Sequence, residues 1–182
     1  MDHSTKIDSS KLYSGRISIR LDKYYLGNKI IEKEIVEHSD SVGIIALDNK
    51  ENIILVEQFR IAAGNSLLEI PAGKIEKGET PKVAASREMN EEIGYTGNLT
   101  PLFQSYLAPG YDTEKMHFFL ASELKISKKR FPQDNDEEIK VRRMTLSSAF
   151  KKCVSGKIID CKTIAAVMMI VNRKNELIMH SK

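Results

Sequence analysis

One segment of the sequence, residues 80–94, carries a helix start signal at one end and a helix stop signal at the other. The hydroxyl of Thr80 suits an N-cap, and Pro81 follows at the first helical position, where the missing N–H of proline is harmless. Gly94 suits a C-cap, because glycine readily adopts the left-handed conformation that ends many helices. The sequence therefore predicts a helix between Thr80 and Gly94.

The two faces of this helix differ in chemistry. Successive residues advance by about 100° around the helix axis, so residues three and four apart share a face. Three carboxylates meet on one face: Glu88, Glu91 and Glu92. Three apolar side chains fall on the opposite face and are predicted to dock on a sheet: Val83, Met89 and Ile93. The helix is thus amphipathic, with an unusually acidic polar face.

The acidic face has two interpretations. Most charged helix faces are simply solvated. Here, however, like charges at these spacings repel one another by roughly 0.2–0.5 kcal/mol per pair, and lysines do little to relieve the repulsion. Oxygen ligands of this kind suit a hard cation such as Mg²⁺, and Arg87 stands where it could hold Glu79 from the preceding loop in a fixed orientation. We therefore favour a metal site.

The rest of the chain alternates between β-branched runs and turn signals. Strands are predicted in RISIRL and KIIEKEIVE, joined at Gly27–Asn28, in the hairpin SVGIIAL and NIILVEQF, and in SLLEIPAG, LFQSYLA, MHFFLA and IKVRRMTL. Two helices should follow, one from about Ser147 to Ser155 and one from an Asp160 cap. The first ten residues are expected to be a polar leader. This mixture predicts an α/β or α+β fold with a mixed sheet, in which residues 1–40 form a small β unit and residues 41–182 the main domain.

The composition narrows the class of protein. The 182 residues are 41% hydrophobic, which is enough for one well-buried core. The net charge of +3 is small, so no nucleic-acid partner is expected. No apolar run approaches the roughly 18 residues of a membrane span, and the polar N-terminus is unlike a signal peptide, so we expect a cytoplasmic protein with no membrane partner. Cys153 and Cys161 lack CxxC spacing and are both expected to be buried thiols.

Gly73, Glu79 and the run Arg87-Glu88-Met89-x-Glu91-Glu92-x-Gly94-Tyr95 resemble the signature box of the Nudix hydrolases, although Tyr95 stands where that family usually has an aliphatic residue. The resemblance implies a Nudix fold, in which a mixed sheet lies between helices. It also implies hydrolysis of a nucleoside diphosphate linked to another group, with Mg²⁺ or Mn²⁺ as cofactor. The implied metal ligands are Glu88, Glu92, the backbone carbonyl of Ala72 and, as a further participant, Glu91, with Arg87 and Glu79 in support.

Three flanking stretches resemble the ADP-ribose pyrophosphatases within this family: VEQFRIAAG, LLEIPAGKIEKGE and APGYDTE. The likeness extends from about Lys29 to Val171. It implies that Arg60 and Glu114 contact the substrate, a nucleoside diphosphate sugar, and that Pro109 and Gly110 shape the pocket wall. Each also has a plain structural alternative, because Arg60 could be a surface arginine and Pro-Gly is a common turn.

The same resemblance implies a general base on an acidic loop, and Glu137 is our choice among the acids of residues 134–138. It also implies a homodimer whose N-terminal strands cross to the partner. A departure occurs at HSDSVG, residues 38–43, where relatives commonly carry a proline-glycine pair, and His38 is interpreted as structural. The leading hypothesis is hydrolysis of ADP-ribose to AMP and ribose 5-phosphate. The alternatives are hydrolysis of another nucleoside diphosphate sugar such as GDP-mannose, or a sensor that binds such a ligand without cleaving it.

Overall fold

The computed structural model describes residues 4–15, 17–129, 131 and 138–180 of the chain. The chain divides into two compact units, the first formed by Met1–Ser41 with Gln104–Met116 and the second by Val42–Phe103 with His117–Lys182. The assignment of residues 1–40 to an N-terminal unit and of residues 41–182 to a catalytic domain stays a prediction. Among the described residues, no helix is long and apolar enough to cross a membrane.

The first unit contains an antiparallel sheet of three strands, as far as the described residues extend, in the order β1 (Ser4–Ser14), β2 (Ser18–Leu26) and β3 (Lys29–Glu37). Strands β2 and β3 confirm the two predicted strands, and Gly27 turns between them with φ of 61°. The expectation of a polar leader is wrong, because β1 pairs along its length with β2. Residues 5–14 are exposed and lack apolar alternation, so no local signal marks this strand.

A buried carboxylate joins β1 to β2. Asp22 is fully buried, and its side chain accepts hydrogen bonds from Ser9 Oγ at 2.6 Å and Arg20 Nε at 2.9 Å and forms an ion pair with Lys6 Nζ at 2.9 Å. Burial raises the pKa of Asp22, but the bonds from Ser9, Lys6 and Arg20 more than offset this effect and hold the pKa well below its usual value. Because Lys6 and Ser9 belong to β1, the ionised carboxylate fixes that strand on β2.

We expect Asp22→Asn to loosen β1. Asparagine replaces one of the two acceptor oxygens with an NH₂ donor and removes the negative charge, which should lower the free energy of unfolding by about 2–3 kcal/mol. Amide hydrogen exchange in β1 should become about 30–160-fold faster at neutral pH. In the wild type the folded pKa lies below the unfolded one, so this stabilisation is complete above about pH 4 and is lost as the pH falls further. Asp8→Asn, at an exposed position of the same strand, is the matched control; equal exchange in both variants would contradict the assignment.

The second unit is built on a sheet with the strand order β10-β5-β4-β9-β8, with β6 beside β5 and β7 beside β4. Its strands are β4 (Ser41–Leu47), β5 (Asn52–Arg60), β6 (Asn65–Glu69), β7 (Ala72–Lys74), β8 (Tyr95–Tyr106), β9 (Lys115–Ile126) and β10 (Ile139–Thr145). A 3-10 turn, Ile61–Ala63, links β5 to β6, and the helices are α1 (Pro81–Ile93), α2 (Leu146–Val154) and α3 (Cys161–His180). Every predicted strand and helix is present, and the α+β class is confirmed.

Strands β4 and β5 are buried on both faces. Ile54 and Val56 pack in one core cluster with Ala85 and Met89 of α1. Ile53 and Leu55 point to the opposite side of the sheet, because successive side chains of a strand alternate, and they are also fully buried. Helix α2 contacts β5 and β10, and α3 contacts β6, so the sheet of this unit lies between helices.

The ends of α1 agree with the sequence signals. Thr80 Oγ1 accepts the Val83 N–H at 3.3 Å, and Gly94 ends the helix with φ of 72°. Met89 and Ile93 are buried as predicted, but Val83 is 53% exposed, so its predicted docking is wrong. The arithmetic of 100° per residue places Val83 about 120° from Met89, outside the buried stripe.

The ends of α2 and α3 lie close to the predicted positions. Helix α2 spans Leu146–Val154, and Gly156 follows with φ of 70°. Asp160 Oδ2 accepts the Thr163 N–H at 3.0 Å, which confirms the cap of α3. Cys153 is buried as expected, whereas Cys161 is exposed, so the expectation of a second buried thiol is wrong. Cys161 is the first residue of α3, beyond the part of the helix that packs inward.

Candidate active site on the acidic helix

Arg87 of α1 organises the carboxylates around it. Its Nε and Nη2 donate to the two oxygens of Glu79 at 2.9 and 3.0 Å, a bidentate pair, and Nη2 also donates to the carbonyl of Lys74 at 2.9 Å. Its Nη1 donates to Glu88 at 2.7 Å and to Glu91 at 2.9 Å. Hydrogen bonding to Glu79 is the largest cause that raises the pKa of Arg87, and the same bond lowers the pKa of Glu79. A permanent positive charge therefore fixes the helix face and its supporting loop.

The short strand β7 lies against two carboxylates of α1. The Ala72 N–H donates to Glu92 Oε2 at 3.0 Å, and Glu92 is 3% exposed. The Glu88 carboxylate lies over Gly73 so closely that a Cβ added to Gly73 would be 1.9 Å from Glu88 Oε1. Gly73 therefore leaves room for the Glu88 carboxylate. The packing of β7 against α1 thus brings the Glu88 and Glu92 carboxylates to the Ala72–Gly73 backbone.

These residues fit a hard divalent ion. The donors are all oxygens, and the cradle at Gly73 holds the Glu88 carboxylate where a larger residue would displace it. Among the described residues, no three Asp, Glu, His or Cys side chains converge as a complete metal-binding cluster. Mg²⁺ commonly uses only one or two carboxylates and takes its other ligands from water and substrate phosphates. The pair Glu88 and Glu92 meets that requirement.

Arg60 lies at the end of β5, where it pairs with a buried carboxylate. Its Nε and Nη2 donate to Glu69 Oε1 and Oε2, each at 2.8 Å. Glu69 ends β6, three residues before Ala72, and also accepts a hydrogen bond from Lys162 of α3. Sequence reasoning selected Arg60 and missed both of these partners, because a glutamate at the end of a short strand resembles a solvated residue.

Pro109, Gly110 and Glu114 lie in the first unit. A Cβ added to Gly110 would meet no atom within 4 Å, so the turn is open at that point. Glu114 Oε2 lies 3.4 Å from His38 Nδ1. The same loop is fastened to the end of β3, because Thr113 Oγ1 accepts the His38 N–H at 3.0 Å and donates to the His38 carbonyl at 3.1 Å.

Glu137 lies outside the described residues, so its role as general base stays a prediction. Sequence reasoning also missed a residue of α1 that bonds to Ser127 and Phe131, a few residues before that loop in the chain. Asn90, within the box, is 5% exposed and donates from Nδ2 to Ser127 Oγ at 2.7 Å. Its Oδ1 accepts the Phe131 N–H at 2.7 Å. A polar residue among the apolar positions of α1 is the signal that could have found it.

Residues 37–159 match the family model described as NUDIX domain. This match spans more than half of the 182 residues. The chain therefore belongs to the NUDIX family and is a Nudix hydrolase. Enzymes of this family generally use divalent metal ions, in agreement with the carboxylate oxygens gathered on α1.

Similar proteins support this membership. The chain is 38% identical over 167 residues to an ADP-ribose pyrophosphatase of Bacillus subtilis. The aligned residues make up 90% of each chain. It is 33% identical over 171 residues to a GDP-mannose pyrophosphatase of Salmonella arizonae, which covers 87% of this chain and 88% of that relative. A crystal structure described as an ADP compounds hydrolase superposes with a TM-score of 0.86 over 97% of both chains. At 19% identity this last likeness shows the fold alone, and it confirms the predicted fold.

Proposed function

We propose that this protein hydrolyses the pyrophosphate bond of ADP-ribose to AMP and ribose 5-phosphate. The observation that carries the proposal is the gathering of Glu88 and Glu92 against the Ala72–Gly73 backbone, with Arg87 fixing the neighbouring carboxylates. The similarity to an ADP-ribose pyrophosphatase over 90% of the chain supports the choice of substrate.

In this proposal Glu88, Glu92 and the Ala72 carbonyl hold the divalent ion, with Glu91 as a further participant. Mg²⁺ is our choice of ion, with Mn²⁺ as the alternative. When bound, such an ion would supply neutralisation of phosphate charge and a lower pKa for the attacking water. The chain's own task is to orient: Arg87 keeps Glu79, Glu88 and Glu91 in place through hydrogen bonds of 2.7 to 3.0 Å. Water adds to one phosphorus, and the P–O bond of the pyrophosphate bridge breaks.

The remaining roles concern the substrate. The Arg60 side chain is 38% exposed, and its guanidinium group suits phosphate or ribose oxygens. We assign Glu114 to a further polar contact and Pro109 and Gly110 to the wall of the pocket. Glu137 is assigned as the general base that takes the proton of the attacking water.

Chromatography of the products tests this function directly. The protein is incubated with ADP-ribose and Mg²⁺, and AMP and ribose 5-phosphate are expected in equal amounts. Omission of the divalent ion, with a chelator present, should abolish the reaction. Intact ADP-ribose in the complete mixture would contradict the proposal.

The second candidate is hydrolysis of GDP-mannose, which the similarity to a GDP-mannose pyrophosphatase favours. A parallel incubation with GDP-mannose separates the two. Cleavage of GDP-mannose alone would leave the roles of the carboxylates in place and change the substrate. Binding of either ligand without cleavage would support the sensor instead.

We also propose a cytoplasmic homodimer in which residues 1–40 make the interface. The strands of the first unit expose several large apolar side chains, which are Ile7, Leu12, Tyr13, Tyr25, Leu26 and Ile30. A small sheet with such faces is only marginally stable in water, and a second copy would cover them. Light scattering should give twice the chain mass of 20.6 kDa, and a monomer at micromolar concentration would contradict the dimer. Cell fractionation tests the compartment.

A further inference from the structure

A buried carboxylate beside the candidate active site is shared by two cations. Glu69 is 1% exposed, and Arg60 donates to both of its oxygens at 2.8 Å. Lys162 Nζ donates to Oε2, the same oxygen that Arg60 Nη2 uses. The two cations differ in exposure, since the Lys162 side chain is 12% exposed and the Arg60 side chain 38%. Only Arg60 thus presents a substantial surface to an incoming ligand.

Lys162 is itself held in place by the first turn of α3. Its Nζ donates to Asp160 Oδ1 at 2.9 Å. Asp160 Oδ2 accepts the Thr163 N–H at 3.0 Å and the Thr163 hydroxyl at 2.5 Å. Thr163 Oγ1 in turn accepts the Ile70 N–H at 2.8 Å. The start of α3 is therefore bonded to two consecutive residues, Glu69 and Ile70, at the end of β6.

The cluster lies close to the metal-binding carboxylates along the chain. Glu69 precedes Ala72 by three residues, which can span at most about 10 Å of extended chain. Ala72 donates to Glu92, the proposed metal ligand. Arg60, at the end of β5, is bonded to the last residue of β6, the strand that leads into β7.

Lys162 helps to fix the carboxylate that Arg60 binds. Its own charge is paired with Asp160 Oδ1 at 2.9 Å, so the two cations and the two carboxylates balance, and the contribution of Lys162 is geometric. Lys162 and Arg60 both donate to Glu69 Oε2, and the two-point bond between Arg60 and Glu69 fixes the plane of the guanidinium. A guanidinium held in one plane favours the binding of an anionic substrate.

We propose that Lys162 and Glu69 are positioning residues that hold Arg60 in the orientation that binds the substrate. This inference rests on the proposed function, in which Arg60 contacts the nucleoside diphosphate sugar. Neither residue touches the reacting atoms, so both act on substrate binding and leave the chemical step unchanged.

The test is steady-state kinetics of Lys162→Met with ADP-ribose, or with GDP-mannose if the wild type cleaves only that substrate. We expect KM to rise about tenfold, the effect of one lost charge-assisted bond, with kcat within about twofold of wild type. Lys162→Arg keeps a cation beside Glu69 and should restore KM. Lys157→Met removes an exposed lysine in the loop before α3 and should leave both constants unchanged.

A second pair of variants separates positioning from simple loss of stability. Glu69→Gln should raise KM in the wild-type background but not in the Arg60→Gln background, because the effect passes through Arg60. An unchanged KM in Lys162→Met, or an equal rise from Glu69→Gln in both backgrounds, overturns the inference. The Glu69 comparison decides alone if Lys162→Met does not fold. A wild type that cleaves neither substrate overturns the proposed function, and the role of Arg60 with it.

Discussion

Replacing Glu92 with glutamine should lower kcat/KM for the cleaved substrate by about 10³-fold, the equivalent of roughly 4 kcal/mol of metal-assisted stabilisation. The amide oxygen of glutamine can still accept the Ala72 N–H, a bond of 3.0 Å in the wild type. The variant therefore keeps the local geometry and loses the negative charge. Because Glu92 is 3% exposed, solvent cannot readily compensate for the loss of its negative charge.

Two measurements separate a metal-binding role from a folding role. Mn²⁺ binding, followed by electron paramagnetic resonance, should weaken in Glu92→Gln, while the melting temperature stays near that of the wild type. Glu123→Gln removes an exposed carboxylate from β9 and is the matched control for the change in net charge. Activity of Glu92→Gln within tenfold of this control would show that Glu92 is not a principal ligand.

Local signals explain why α1 was predictable. Thr80 and Gly94 act on hydrogen bonds within their own helix, so their effect can be inferred from neighbouring residues alone. The assignment of Glu92 to the face opposite Met89 is wrong, because three residues of helix place the two side chains about 60° apart and both are buried. Where local rules and packing agree, the sequence is sufficient.

Distant partners explain what was missed. Strand β1 is polar and exposed, and it forms because Lys6 and Ser9 reach Asp22 on the next strand. Glu69 is buried because Arg60 and Lys162 neutralise it, and Lys162 lies 93 residues further along the chain. The residues next to Asp22 and Glu69 in the sequence give no sign that these two carboxylates are buried rather than solvated. A buried charge is paired by residues that only the folded chain brings together, so a local sequence pattern cannot predict the pairing.

Replacing Gly73 with alanine should lower activity about 10²-fold with little change in stability. A Cβ at this position would lie 1.9 Å from Glu88 Oε1 and 2.1 Å from Glu88 Cδ. These atoms are at the far end of a flexible side chain, so the carboxylate can move aside at small cost to the fold. A displacement of about 1 Å at a catalytic group can reduce the rate by about that factor.

Gly156→Ala is the matched control, because its expected effects are the reverse. Gly156 has φ of 70° and no neighbour within 4 Å of an added Cβ, so alanine there is strained without displacing any side chain. We expect its melting temperature to fall by about 3–6 °C with activity unchanged, from a strain of roughly 1–2 kcal/mol. Gly73→Ala should instead melt like the wild type and bind Mn²⁺ more weakly, because the move of Glu88 removes a ligand. If Gly73→Ala kept full activity, the carboxylate of Glu88 could not be held at Gly73 for the reaction; if it lost stability and activity together, the glycine would serve the fold rather than the site.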